Sequence, residues 1–181
     1  MKADINLEAE IPEGVTVDIT GNGKISVKGP KGKVFRQIKD AKIKFQAKDN
    51  KVLLFVKGAT KREKSLINTY FKHIQNMMKG VVEGFVYKLK ICSGHFPMNV
   101  AVSGNKLTVK NFIGEKFPRV LTIKDAVDVK VDGDIITVES IDKEKAGQVA
   151  ADIENMMRVT NRDRRIFQDG IYIIEKAGKT I

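Results

Sequence analysis

Four stretches of the chain hold residue types whose spacing could do chemistry. Cys92-Ser93-Gly94-His95 sets a thiol and an imidazole three residues apart, as a nucleophile and its base would be. The stretch supplies no third group to orient the base and no oxyanion donors, so a small packed thiol and a loop histidine are expected. Asp128, Asp132 and Asp134 cluster as calcium ligands do, yet the loop length and the closing bidentate Glu are missing. A solvated turn is expected there. Gly29-Pro30-Lys31-Gly32-Lys33 looks like a phosphate loop, but a Walker loop ends in Gly-Lys-Ser/Thr at a helix N-terminus, and here a strand is expected next. What remains is a stiff turn whose Lys28, Lys31 and Lys33 can reach RNA phosphates or protein acids.

The fourth stretch, Arg158 to Tyr172, places Arg158, Arg162, Arg164 and Arg165 within eight residues. Arginine offers a planar, bidentate fork for phosphate, and Asn161, Gln168 and Tyr172 can hydrogen-bond sugar or base edges. Nucleic-acid contact is the expectation, with salt bridging between domains as the alternative. One cysteine and two histidines, His73 and His95, leave little for zinc or acid–base chemistry, so no enzyme, metal or cofactor is expected.

The elements that must position these residues follow from an internal repeat at an offset of about 80 residues. Val17-Asp18-Ile19-Thr20-Gly21-Asn22-Gly23-Lys24-Ile25-Ser26-Val27-Lys28 returns as Val100-Ala101-Val102-Ser103-Gly104-Asn105-Lys106-Leu107-Thr108-Val109-Lys110. Asp49 to Val56 returns as Asp132 to Val138, and Ile74-Gln75-Asn76-Met77-Met78 as Ile153-Glu154-Asn155-Met156-Met157. Two homologous α+β domains are predicted, residues 1–81 and 82–181, each an antiparallel sheet with one amphipathic helix packed on one face.

Within the first unit, Val15, Val17 and Ile19 alternate with polar residues up to Gly21-Asn22-Gly23, and Ile25 and Val27 resume the alternation, predicting a hairpin. Short strands are predicted over 33–38, 42–47 and 52–56. Thr60 with Glu63 forms a capping box, and Leu66, Ile67, Tyr70, Phe71, Ile74, Met77 and Met78 share one helical face, with Gly80 as the expected stop. In the second unit Asp142 caps a helix whose stripe is Ala146, Val149, Ala150, Ile153, Met156 and Met157. A strand is expected at Ile171 to Ile174.

Charge narrows the partners. The 33 bases against 22 acids give a net +11, which implies a polyanion such as nucleic acid. Aromatics are 7% with no Trp, which argues against stacking many unpaired bases. No apolar run approaches the roughly 20 residues a membrane span needs, and Met1 to Asn6 has no apolar h-region, so a cytosolic protein is expected.

Three stretches carry a resemblance across essentially the whole chain. They are Val27-Lys28-Gly29-Pro30-Lys31-Gly32 after the opening Pro12 to Val15, then Asn111-Phe112-Ile113-Gly114-Glu115-Lys116, then Arg162-Asp163-Arg164-Arg165-Ile166-Phe167-Gln168-Asp169-Gly170-Ile171-Tyr172. They resemble the universal large-subunit ribosomal protein six family in its archaeal and eukaryotic form. The resemblance implies a structural protein of the cytoplasmic ribosome that binds large-subunit ribosomal RNA near the sarcin-ricin region. It implies a place at the stalk base, beside neighbouring ribosomal proteins, where translational GTPases dock. The second domain is the main RNA reader in that family, which here points to Arg158, Asn161, Arg162, Arg164, Arg165, Gln168 and Lys176. The full expected RNA-binding set adds Tyr172, Lys179, Lys106, Lys110, Lys116, Arg119, Lys28, Lys31 and Lys33. An extraribosomal RNA chaperone or regulator with the same basic surface is the alternative.

Charge and resemblance pull apart. Residues 1–90 hold 19 bases and 9 acids, net +10, while 91–181 hold 14 and 13, net +1. Local potential within a Debye length of roughly 8 Å decides binding, so the clustered arginines of the second half are expected to outweigh the first half's larger total.

Overall fold

The computed structural model describes residues 3–20, 23–38, 40, 42–48 and 50–181. The chain divides into two units, Met1–Gly84 and Phe85–Ile181. The expected hairpin turn at Gly21-Asn22 and the repeat position Asp49 lie outside the described residues.

The first unit runs β1 (Ala3–Glu10), β2 (Thr16–Thr20), β3 (Lys24–Gly29), β4 (Gly32–Gln37), β5 (Lys44–Lys48), β6 (Lys51–Ala59) and α1 (Lys61–Val82). Strict alternation makes the strands: Ile25 and Val27 of β3, and Val52, Leu54 and Val56 of β6, are buried while their neighbours are not. One sheet per unit is the expectation, and there are two: β1-β6-β5 and β2-β3-β4, both antiparallel. Among the described residues β2, β3 and β4 pair only with one another, as do β1, β5 and β6, so the ladder is broken between the two sets. α1 packs on strands of both sheets, burying Ile67, Ile74, Met77, Met78 and Val81. Each such aliphatic contributes about 1.5–3 kcal/mol.

The capping box at the start of α1 forms as predicted. The Glu63 carboxylate accepts the Thr60 backbone N–H at 3.0 Å and the Thr60 hydroxyl, and Lys42 Nζ lies 2.8 Å from its other oxygen. The Lys42 ammonium and the Thr60 donors hold the Glu63 carboxyl down at about 2. The expected stop at Gly80 is not where the helix ends. Gly80 is buried inside the last turns, and Gly84, at φ +78°, leaves the helix with its N–H on Gly80 O at 2.9 Å. The expected boundary between residues 81 and 82 therefore falls within α1, and the units part after Gly84.

The second unit repeats this plan and extends it. It runs β7 (Phe85–Cys92), β8 (Asn99–Ser103), β9 (Lys106–Lys110), β10 (Arg119–Thr122), β11 (Asp128–Asp132), β12 (Ile135–Ser140), α2 (Lys143–Met156), β13 (Gly170–Lys176) and β14 (Lys179–Thr180). The β8-β9-β10 sheet matches β2-β3-β4, and β7-β12-β11 matches β1-β6-β5. Asp142 caps α2 by accepting the Glu144 N–H at 3.0 Å, and Ala146, Val149, Ala150 and Ile153 are buried as the stripe predicts. New here are β13 and β14, which join the free side of β7 in the order β11-β12-β7-β13-β14. Among the described residues no helix is long and apolar enough to cross a membrane.

Candidate nucleic-acid interface

The arginine segment lies between two fixed elements. After α2, tight turns place Met157 N–H on Glu154 O and Arg158 N–H on Asn155 O, both at 3.2 Å. At the other end β13 pairs with β7, setting Gly170 opposite Cys92 and Ile171 opposite Ile91, with Ile171 in the core. That register carries Asp169 onto the loop after β7. Its carboxylate, 1% exposed, accepts Gly94 N–H at 2.6 Å and His95 N–H at 2.9 Å, with His95 Nδ1 at 2.5 Å. Burial pushes the Asp169 carboxyl up, but the bonds from His95 and Gly94 outweigh it and hold the group below the usual carboxylate range.

The middle of the segment is held as well. Ile166 and Phe167 N–H groups donate to Asp163 O, closing a turn. The Phe167 ring stacks on the His95 imidazole, centroids 4.7 Å apart at 17°, and the Arg162 guanidinium lies 4.9 Å from the same ring.

Of the expected contacts, Arg158, Arg164 and Tyr172 come together around one recess, whose wall also includes Glu154, Asn155 and Phe167. Among the described residues neither Arg158 nor Arg164 has an ion pair, so both forks are available to phosphate. Arg162 stands beside this recess on Phe167. Arg165 is exposed but its fork closes on Asp163, Nη2 to Oδ2 at 2.7 Å, which holds the Asp163 carboxyl below its ordinary range. The Gln168 amide donates to Arg165 O at 3.2 Å, and Asn161 takes a left-handed turn at φ 57°. Both serve the shape of the segment.

Other expected residues stand apart from the recess. Lys176 and Lys179 face each other across the β13–β14 hairpin, roughly 20 Å along β13 from Gly170. Lys106 and Lys110 are exposed on β9, and Lys116 is exposed beside Phe117, itself 85% exposed. Arg119 is committed inside the domain. Its Nε donates to Glu115 at 2.8 Å, its Nη1 to Met156 O at the end of α2, and its guanidinium lies 4.3 Å from the Phe112 ring.

In the first unit Lys31 is likewise committed. Its backbone N–H donates to Val81 O at 3.0 Å and its ammonium to Glu83 O, so it caps the C-terminus of α1 rather than reaching outward. A Cβ on Gly29 would lie 2.7 Å from the Val81 side chain, which is why the turn needs glycine there. Lys28 and Lys33 stay exposed and opposite one another, beside Phe35, which is 69% exposed under the Lys24 ammonium.

Sequence reasoning missed Asp169, Phe167 and His95 as a unit. His95 was expected as a loop histidine, and its partner lies 74 residues away. Only the β7–β13 register brings them together. Cys92 is a half-buried free thiol, and the ring of His95 is engaged by Asp169.

A duplicated α+β scaffold that carries, on a braced loop, arginine forks unpaired among the described residues fits the nucleic-acid-binding class of protein. The family model described as Ribosomal protein L6 matches residues 11–84 and 96–170, one match in each unit. The chain is 49% identical over 185 residues to the large ribosomal subunit protein uL6 of Nanoarchaeum equitans (strain Kin4-M), covering 98% of this chain and 96% of that relative. The chain belongs to the ribosomal protein L6 family. It is a structural, non-enzymatic protein of the large subunit of the cytoplasmic ribosome, and it binds ribosomal RNA and ribosomal proteins.

Proposed function

We propose that the chain holds large-subunit ribosomal RNA near the sarcin-ricin region, at the stalk base where translational GTPases dock, and that residues 158–172 are its main RNA contact. Neighbouring stalk-base proteins are its protein partners. The observation that carries the assignment of the contact is the pair of unpaired forks, Arg158 and Arg164, facing one recess on a loop braced at both ends. Bracing matters because a backbone already ordered leaves less to be ordered when the arginines meet a phosphate. Recognition by such a surface runs through phosphate positions and RNA shape, not base sequence. The location at the sarcin-ricin region rests on the resemblance of the three quoted motifs.

Cross-linking of the protein within its own large subunit tests both parts. Cross-links from residues 158–172 to the sarcin-ricin region are expected; cross-links from this segment to other RNA alone would refute the location. Sedimentation in high-salt sucrose gradients separates a stoichiometric subunit component, which stays bound, from a transient chaperone, which washes off.

A further inference from the structure

Among the described residues the buried Asp169 carboxylate has one ionisable partner, His95. An ionised carboxylate only accepts hydrogen bonds, so the nitrogen facing it, Nδ1, carries the proton. A ring that meets an anion as an imidazolium has a second N–H to offer, on Nε2. The His95 side chain is 37% exposed, and among the described residues nothing accepts from Nε2. The groups around the ring are Asp169 before β13, Phe167 on one face and, across that phenyl ring, the Arg162 cation; the Cys92 thiol stands three residues back at the end of β7. The free Nε2 edge thus belongs to the same braced assembly as the arginine forks.

We propose that His95 is a further RNA contact of this interface, donating from Nε2 to a phosphate oxygen of the ribosomal RNA backbone while Asp169 holds the ring by Nδ1. The inference rests on the RNA-binding role of residues 158–172. Its ligand class is a phosphodiester, because an outward N–H on a cationic ring beside arginine forks matches an anionic acceptor. Asp169 is then a positioning residue: it fixes which ring nitrogen faces inward and orients the ring.

The two nitrogens are separable by substitution. Asparagine puts an amide donor close to the Nδ1 position, so His95→Asn keeps a bond to Asp169 and deletes the Nε2 donor. Glutamine puts a donor near Nε2, so His95→Gln restores the outward donor without its charge. The test measures binding of the full chain to a transcribed ribosomal RNA fragment spanning the sarcin-ricin region, against salt, with the thermal midpoint of each variant. The wild type is expected to bind about tenfold more tightly than His95→Asn, with a log–log salt slope steeper by about 0.7 to 0.9. His95→Gln should recover part of the affinity and none of the slope.

Wild-type affinity and salt slope in His95→Asn would overturn the proposal and leave His95 a structural clip. So would a thermal midpoint lowered by that variant with binding by its folded fraction unchanged. An Arg158→Ala/Arg164→Ala variant run alongside separates the two levels. If that variant binds as wild type does, the RNA-binding role of the segment itself fails; if it weakens while His95→Asn does not, only the proposal about His95 fails.

Discussion

The two halves share one plan, yet among the described residues only the second has a strand on the outer side of its leading strand. Among those residues β1 is an edge strand, whereas its counterpart β7 is flanked by β12 and β13. The return strand fixes the far end of residues 158–169, pins Asp169 into the loop after β7 and so braces the arginines. In the first half comparable charge is spread over separate elements, and part of it is spent internally, Lys31 on the end of α1 and Lys42 on Glu63. The two scaffolds are of the same kind, and the added strand braces the loop of one of them. Charge density on a braced loop, not the +10 of residues 1–90, is what the comparison singles out.

Removing the difference altogether should have the largest effect. A chain ending at Asp169 loses β13 with its buried Ile171 and the ladder to β7. The second unit should lose more than about 5 kcal/mol of stability while the first keeps its own core. Hydrogen exchange resolved by unit checks this: lost protection over 85–157 with protection over 3–82 retained is the expected pattern.

A smaller break of the same brace is Asp169→Ala. Three donors, from Gly94, His95 and the His95 ring, lose their acceptor, and the second unit should be destabilised by about 2–3 kcal/mol in urea denaturation. The group's lowered range gives a sign as well. Its stability contribution is present above the ordinary aspartate range and is lost as pH falls through the depressed one.

Acid should act on the first half through Glu63. Its carboxyl titrates at about 2 when folded against 4.5 ordinarily, so the stability it contributes is complete above about pH 4.5 and declines towards pH 2. Glu63→Gln should remove that decline and lower the midpoint of the first unit at pH 7, with little change in the second; thermal melts at pH 7, 4 and 2.5 follow it. The smallest effect belongs to Arg165→Ala. Because Asp163 already closes on that fork, the salt slope of RNA binding should flatten by less than about half a unit.

Much of this was legible in the sequence because the signals were local. Thr60 with Glu63, Asp142 as a cap, and the stripes of α1 and α2 need only neighbours within a turn or two, and they stand where the periodicity put them. Gly80 misled because a glycine can pack inside a helix as well as end one. The second sheet of each unit, the role of β1 and β7, and the internal use of Lys31 and Arg119 depend on partners far along the chain. The Asp169–His95 bond is the extreme case, set wholly by the β7–β13 register. The arginine segment itself was readable as a cluster; which of its members are free was not, since Asp163 engages Arg165 and leaves Arg164 open.

The central claim is that a braced arginine cluster, and not total charge, makes the RNA contact. The direct measurement compares two triple variants of the full chain, each removing three positive charges, by the salt dependence of binding to the same ribosomal RNA fragment. Arg158→Ala/Arg162→Ala/Arg164→Ala should flatten the log–log slope by about two to three units. Lys24→Ala/Lys28→Ala/Lys33→Ala, on the exposed strands of the first half, should flatten it by less than about one, and both variants should keep their folds because exposed substitutions cost little stability. Equal flattening by the two triples would contradict the account and assign binding to diffuse charge.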